Sequence, residues 1–138
     1  KILDKEKPDR AAVVFDVSKK TFRHKRYPDY KATRARMPDE MLACLPYIDR
    51  IVDGLGVPRL GVEGFEADDV IGTLARQAAK KGYDVSIVSG DKDFCQLVNE
   101  RVHIYNPWKG GPRGVEILDS AKVKVRHGVA PEQFRDYL

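Results

Sequence analysis

Residues 60–93 read LGVEGFEADDVIGTLARQAAKKGYDVSIVSGDKD. Leu60–Glu63 opens this stretch as a short strand. From Asp68 to Lys81, the apolar residues Val70, Ile71, Leu74, Ala75, Ala78 and Ala79 fall along one side of a helix, and Gly82 supplies the stop. Val85–Ser89 is a compact apolar run, which suits a buried strand. Strand, helix and strand in one unbroken stretch predict a βαβ unit with parallel strands.

The flanking sequence extends the alternation. Ala11–Asp16 (AAVVFD) reads as a buried strand closed by an acid. Met37-Pro38-Asp39-Glu40 reads as a helix start, with Pro in the first turn and acids near the positive end. That helix is expected to reach Gly54 or Gly56, with a kink at Pro46. A short helix is predicted from Asp91 to Val98, a strand over Val102–Tyr105, and a turn over 107–114 (PWKGGPRG) holding a half-buried Trp108. A short strand at Val115–Leu118 and helices over Asp119–His127 and Pro131–Leu138 complete the reading. The fold class predicted is α/β, a parallel twisted sheet with helices on both faces. In such sheets ligands bind at the carboxyl ends of the strands.

The 138 residues are one domain's worth, 42% hydrophobic and 33% charged. No run approaches the roughly 18 apolar residues of a membrane span, and neither a signal peptide nor a lipidation motif is seen. Cys44 and Cys95 lack zinc-ligand spacing and are expected reduced, half-buried and cytoplasmic. The first residue is Lys1, and both ends read as interrupted helices, so a piece of a longer protein, truncated at both ends, is expected.

Net charge is +4, unevenly spread. Residues 19–36 carry Lys19, Lys20, Arg23, Lys25, Arg26, Lys31, Arg34 and Arg36 against Asp29 alone, while the rest of the chain is mildly acidic. Phe22, Tyr27 and Tyr30 interleave these cations. Aromatic faces stack on unpaired bases and cations neutralise phosphates, so the segment suits nucleic acid. A solvated charged loop has the same composition. Without an apolar face to pack, the segment is expected to move freely in the absence of DNA.

Three strands end in acids: Asp16 after the first, Glu66, Asp68 and Asp69 after the second, Asp91 and Asp93 after the third. Parallel neighbouring strands would bring the six carboxylates to one edge. Acids at helix N-termini also serve as caps, and that reading stands beside the first. Converging carboxylates need a counter-charge, and all-oxygen ligation favours a hard ion, Mg²⁺ or Mn²⁺. Two such ions about 4 Å apart suit phosphodiester displacement.

At these residues the chain resembles the 5′ nuclease domain at the N-terminus of bacterial DNA polymerase I, and is similar to its phage and flap-endonuclease relatives. The resemblance rests on Val14-Phe15-Asp16 with Thr21-Phe22-Arg23, on Tyr30-Lys31 with Arg34, and on Met37-Pro38. It continues through Gly64 to Asp69 with Val70-Ile71-Gly72, and Gly90 to Asp93 with Gln96-Leu97. It implies a PIN-like core and a magnesium-dependent 5′-3′ exonuclease or flap endonuclease acting in replication and repair. Asp16, Glu66, Asp68, Asp69, Asp91 and Asp93 would be the metal acids, with Asp16 and Asp68 counted as catalytic. Lys31 would reach the scissile phosphate. Lys19, Lys20, Arg23, Lys25, Arg26, Tyr30 and Arg34 would contact DNA near an arch over 19–36. The expected partner is DNA at a 5′ flap, end or duplex junction, bound by a monomer with no membrane association, in the cytoplasm of a bacterium at its nucleoid. The family's earlier strand and its later helical DNA clamp are absent from these residues, so the isolated piece is expected to be impaired.

Other readings are weaker matches. A haloacid-dehalogenase-type phosphatase needs a second Asp two residues after the first, where this chain has Ser18. A topoisomerase–primase-type domain uses an Asp-x-Asp but leaves Glu66-Ala67-Asp68-Asp69 unexplained. A non-catalytic nucleic-acid-binding module remains open. His24, His103 and His127 have no mutual spacing that suggests a site, and Trp108 with Lys109 could touch nucleic acid.

Overall fold

The structure is a computed structural model that describes residues 2–18, 20–109 and 114–138. The chain is α/β, as the alternation predicts, and divides into two compact units, Lys1–Val70 and Ile71–Leu138.

The first unit holds α1 (Ile2–Glu6), β1 (Val13–Val14), α2 (Phe22–Arg26), α3 (Asp39–Gly54), β2 (Arg59–Leu60) and the opening turn of α4 (Ala67–Lys80). β1 and β2 pair in parallel, Val13 opposite Arg59 and Val14 opposite Leu60, and the Phe15 amide donates to the Leu60 carbonyl at 2.8 Å. α3 starts after Pro38, which sits just outside the helix, and keeps Pro46 in its interior. Met41, Leu45, Ile48 and Ile51 on this helix are exposed and Val52 is buried. Arg59 reaches α3 through Asp49 at 2.8 Å and Asp53 at 2.9 Å.

The second unit carries the rest of α4, then β3 (Val85–Val88), a 3-10 helix at Lys92–Leu97, β4 (Val102–Asn106), β5 (Glu116–Leu118), α5 (Ser120–His127), a 3-10 turn at Pro131–Gln133 and α6 (Phe134–Tyr137). β3 and β4 run parallel, in register from Val85–Val102 to Val88–Tyr105. β5 joins β4 antiparallel, Ile104 opposite Leu118, so the sheet is mixed rather than parallel throughout. The reason lies in the length of the connection: nine residues separate Asn106 from Glu116, too few for a crossover to a parallel neighbour. The segment from Lys92 is a 3-10 helix opened by an Asx turn, in which Asp91 Oδ1 accepts from the Asp93 amide at 2.9 Å.

Ala75, Ile87, Phe94, Cys95, Val98, Val102, Ile104, Leu118, Val123 and Phe134 form the core of this unit. Each large aliphatic or aromatic side chain so buried contributes roughly 1.5–3 kcal/mol. Cys95 is fully buried and Cys44 exposed, so neither is half-buried as expected; burial pushes the Cys95 thiol pKa up. Trp108 is 74% exposed, which corrects the expected half-buried ring; its Cε3 edge comes near Gly90. Among the described residues no helix is long and apolar enough to cross a membrane.

Candidate functional site

The acids of the first unit gather where β2 gives way to α4. Gly64 takes a positive φ of 83°, which lets the chain turn sharply between strand and helix. Its amide donates to Ser18 Oγ at 3.1 Å and its carbonyl accepts from the Phe22 amide at 2.8 Å. One turn thus fixes both the start of α4 and the start of the basic segment.

The first turn of α4 is capped by one of its own acids and by the acid that follows β1. Asp69 Oδ2 accepts from the Glu66 amide at 3.1 Å, and Asp16 Oδ1 accepts from the Ala67 amide at 2.7 Å. These are the amides that a helix start leaves without internal partners. The capping role therefore exists in atoms for Asp69 and Asp16, and Asp91 plays the same part for its own turn. Asp68 is exposed on the same turn of α4.

The basic segment folds back onto these acids. Arg23 meets Asp69 as a fork, Nη1 to Oδ2 at 2.6 Å and Nη2 to Oδ1 at 2.8 Å, and its Nη1 lies 3.3 Å from Glu66 Oε2. Lys31 Nζ donates to Glu66 Oε1 at 2.7 Å and the Tyr30 hydroxyl donates to Glu66 Oε2 at 3.0 Å. Phe22 packs on Phe65 with centroids 5.5 Å apart, and Thr21 is buried with His24 Nδ1 at 3.1 Å from its hydroxyl. Arg23, Tyr30 and Lys31, in a segment expected to lack an apolar face to pack, are tied by side-chain polar bonds. Lys20, Lys25, Arg26 and Arg34 are exposed, and Lys19 lies outside the described residues.

The electrostatics follow from these contacts. The Arg23 fork holds Asp69 below the usual carboxylate range, and Asp69 raises Arg23 in return. Burial works to raise Glu66, but hydrogen bonds from Lys31 and Tyr30, with Arg23 beside them, win and hold it low. The bond to Glu66 raises Lys31 above its ordinary value. At neutral pH the four groups are therefore ionised.

In the second unit Asp91 and Asp93 follow β3 and are exposed. Asp91 borders a small cleft of about 50 Å³ with Gly90, Lys92, Asn106, Arg126 and His127. Asn106 and Arg126 were not singled out from the sequence. The one available signal for Asn106 was a polar residue closing an otherwise apolar strand; its side-chain oxygen accepts from the Trp108 amide at 3.0 Å. Arg126 is taken up by Glu116, Nη1 donating to Oε2 at 2.8 Å, a pairing with no local sequence signature. Carboxylates alone make up the candidate donor set, which suits a hard divalent ion. Among the described residues, however, no three His, Cys, Asp or Glu side chains are grouped to share one ion.

An α/β chain with acids at its strand-to-helix turns, and a cation-rich segment lying on one of them, has the make-up of a protein that handles phosphate esters of nucleic acid. The comparisons name the family. A model described as the 5′-3′ exonuclease, N-terminal resolvase-like domain, matches residues 1–128, and the chain belongs to that family. DNA polymerase I of Chloroflexus aurantiacus is 47% identical over 133 residues, covering 94% of this chain and 14% of that protein. A 5′-3′ exonuclease of Aquifex aeolicus is 41% identical over 137 residues, covering 99% of this chain and 46% of that protein. The chain thus spans less than half the length of either relative. Among solved structures, T5 D15 protein co-crystallised with metal ions shares the fold with a TM-score of 0.75 at 22% identity, over 96% of this chain and 51% of that one. The bacteriophage T5 D15 flap endonuclease in a pseudo-enzyme-product complex with DNA and metal ions gives 0.73 at 21% identity, with the same coverage.

Proposed function

We propose that the protein carrying this chain hydrolyses DNA phosphodiester bonds at 5′ ends or flaps with the help of Mg²⁺ or Mn²⁺, two ions in the complete domain. Residues 1–138 act as the N-terminal catalytic part of its 5′ nuclease domain, and 19–36 as an arch-like DNA-contacting segment. The observation that carries this reading is the fixed junction of the basic segment with the acid turn: Arg23, Tyr30 and Lys31 sit on Glu66 and Asp69. Family membership and the DNA and metal ions of the T5 relative support it.

Under this reading Asp16, Glu66, Asp68, Asp69, Asp91 and Asp93 hold the metal ions by carboxylate oxygens alone, with Asp16 and Asp68 counted as catalytic. When bound, such an ion supplies Lewis acidity to a phosphoryl oxygen and to the attacking water. Gly64 and Ser18 keep the acid turn in place against the basic segment. Lys31 meets the scissile phosphate and stabilises the charge that grows on it. Lys20, Arg23, Lys25, Arg26 and Arg34, with Lys19, meet neighbouring phosphates, and Tyr30 stands beside them.

Asp68 is the residue to test, because it is exposed and its loss leaves no cavity. In the full-length protein, Asp68→Asn is expected to lower Mg²⁺-supported cleavage of a 5′-flap substrate by roughly a hundredfold or more, with an unchanged melting temperature. Near wild-type cleavage by the folded variant would sink the assignment of Asp68. DNA binding that persists in EDTA, with no cleavage in Mg²⁺ or Mn²⁺, would favour a non-catalytic binding module instead.

A further inference from the structure

Two carboxylates, Glu66 and Asp69, face two cations, Arg23 and Lys31, in one network of short contacts. The charges cancel. A single divalent ion would bring the same +2 to the same oxygens. Every carboxylate oxygen of the pair is already engaged: Asp69 Oδ1 and Oδ2 by the Arg23 fork, Glu66 Oε1 by Lys31, and Glu66 Oε2 by Tyr30. Each oxygen keeps a second acceptor site, but an ion arriving there meets the positive charges of Arg23 and Lys31 at close range.

Lys31 carries a second mark of this arrangement. Its φ is 57°, in the left-handed region that a residue with a side chain rarely adopts. It lies among tight turns, with the Arg34 amide donating to its carbonyl at 3.0 Å and the Ala32 amide donating to Asp29 at 3.0 Å. Such backbone persists only where surrounding contacts hold it. From this backbone the side chain reaches Glu66, Nζ to Oε1 at 2.7 Å.

We propose that Arg23 and Lys31 act as built-in competitors of the divalent ion at Glu66 and Asp69, so that metal occupancy releases the basic segment from the acid turn. The inference rests on the metal role of these acids given above and adds a coupling to it. The ion takes the carboxylates, and the freed guanidinium and ammonium become available to phosphate. Arg23 thereby sets the metal affinity, and metal sets the mobility of the segment.

The competition has a sign that a scaffolding role lacks. If Arg23 merely orients the carboxylates for metal, its loss weakens metal binding. If it competes, its loss strengthens binding. Calorimetric titration of the full-length protein with Mn²⁺ alone, without DNA, reads this directly. Arg23→Gln is expected to bind Mn²⁺ roughly three- to tenfold more tightly than wild type, the scale expected for removing a partly exposed paired charge. Lys31→Gln, at a half-exposed position, should shift affinity the same way and guards against misfolding of the first variant. A second readout is trypsin cleavage within residues 20–36. Saturating Mn²⁺ should speed it in wild type, whereas Arg23→Gln should be cut fast with or without the ion. Equal or weaker Mn²⁺ binding by both folded variants overturns the proposal, as does cleavage in wild type that ignores Mn²⁺; the metal role of the acids survives either result. Absence of any Mn²⁺ binding by wild type overturns the metal role itself, and the coupling with it.

Discussion

His127 shows how opposing effects at one side chain are decided. It sits in the last turn of α5, where the helix dipole favours a positive charge. Yet burial comes first in lowering its pKa, and the neighbouring Arg126, Lys92 and Lys109 add to it. The ring stands edge-on to Phe134, centroids 4.9 Å apart, and to Tyr137 at 5.7 Å. The fold thus favours the neutral imidazole more than the unfolded chain does. Around pH 6.5, the ordinary histidine value, the unfolded chain takes up the proton more readily than the folded chain. Stability contributed by His127 is therefore complete above that pH and is lost as pH falls through the folded value. The measurement is the difference in urea stability between wild type and His127→Gln at pH 7.5 and pH 5. A difference that stays constant or grows on acidification would contradict the depressed pKa.

At the scale of elements, β1 and β2 are two residues each, so their pairing depends on close backbone approach. Gly61 follows β2 directly. A Cβ there would meet the Val17 side chain and, at 2.9 Å, the Phe15 carbonyl oxygen. The carbonyl belongs to backbone and cannot swing aside. Gly61→Ala is expected to destabilise the first unit by roughly 1–3 kcal/mol, the usual scale of overpacking. A urea midpoint shift worth less than about 0.5 kcal/mol would show that the strands adjust freely. The same elements show what a sequence makes visible. α4, α5, β3 and β4 were legible because their signals are local: an apolar face, a compact apolar run, and Gly82 as the stop of α4. The sense of β5 was open to the same reading, since only nine residues separate it from β4, but the alternation of strands and helices pointed to a sheet parallel throughout. The acids of the site stood out at the strand ends. Their partners did not, because Arg23 and Asp69 are 46 residues apart and no spacing rule links them. Arg23 and Lys31 looked like DNA contacts, and the fold places both on carboxylates.

Across the whole chain, burial is lopsided. Among the described residues, Val52 is the one buried hydrophobic side chain of the first unit, whereas the second unit buries Phe94, Val102, Ile104, Val123, Phe134 and others together. The first unit is held mostly by polar ties: Arg59 with Asp49 and Asp53, Arg23 with Asp69, Lys31 with Glu66. Ion pairs this exposed contribute about 0–1 kcal/mol each, while a buried aromatic or aliphatic side chain contributes roughly 1.5–3 kcal/mol. Protection against hydrogen exchange tracks the local free energy of opening, so the two units should open at different cost. In a chain of these 138 residues, amides of β3 and β4 are expected to exchange slowest. Amides of α2, α3 and the β1–β2 pair should exchange faster by roughly tenfold or more, since each 1.4 kcal/mol of opening energy is a factor of ten. Raising salt should widen the gap, because ions screen exposed pairs and leave apolar burial intact. Exchange followed by mass spectrometry at low and high salt tests both statements. Equal protection in the two units would mean that the polar ties of the first unit are stronger than their exposure allows.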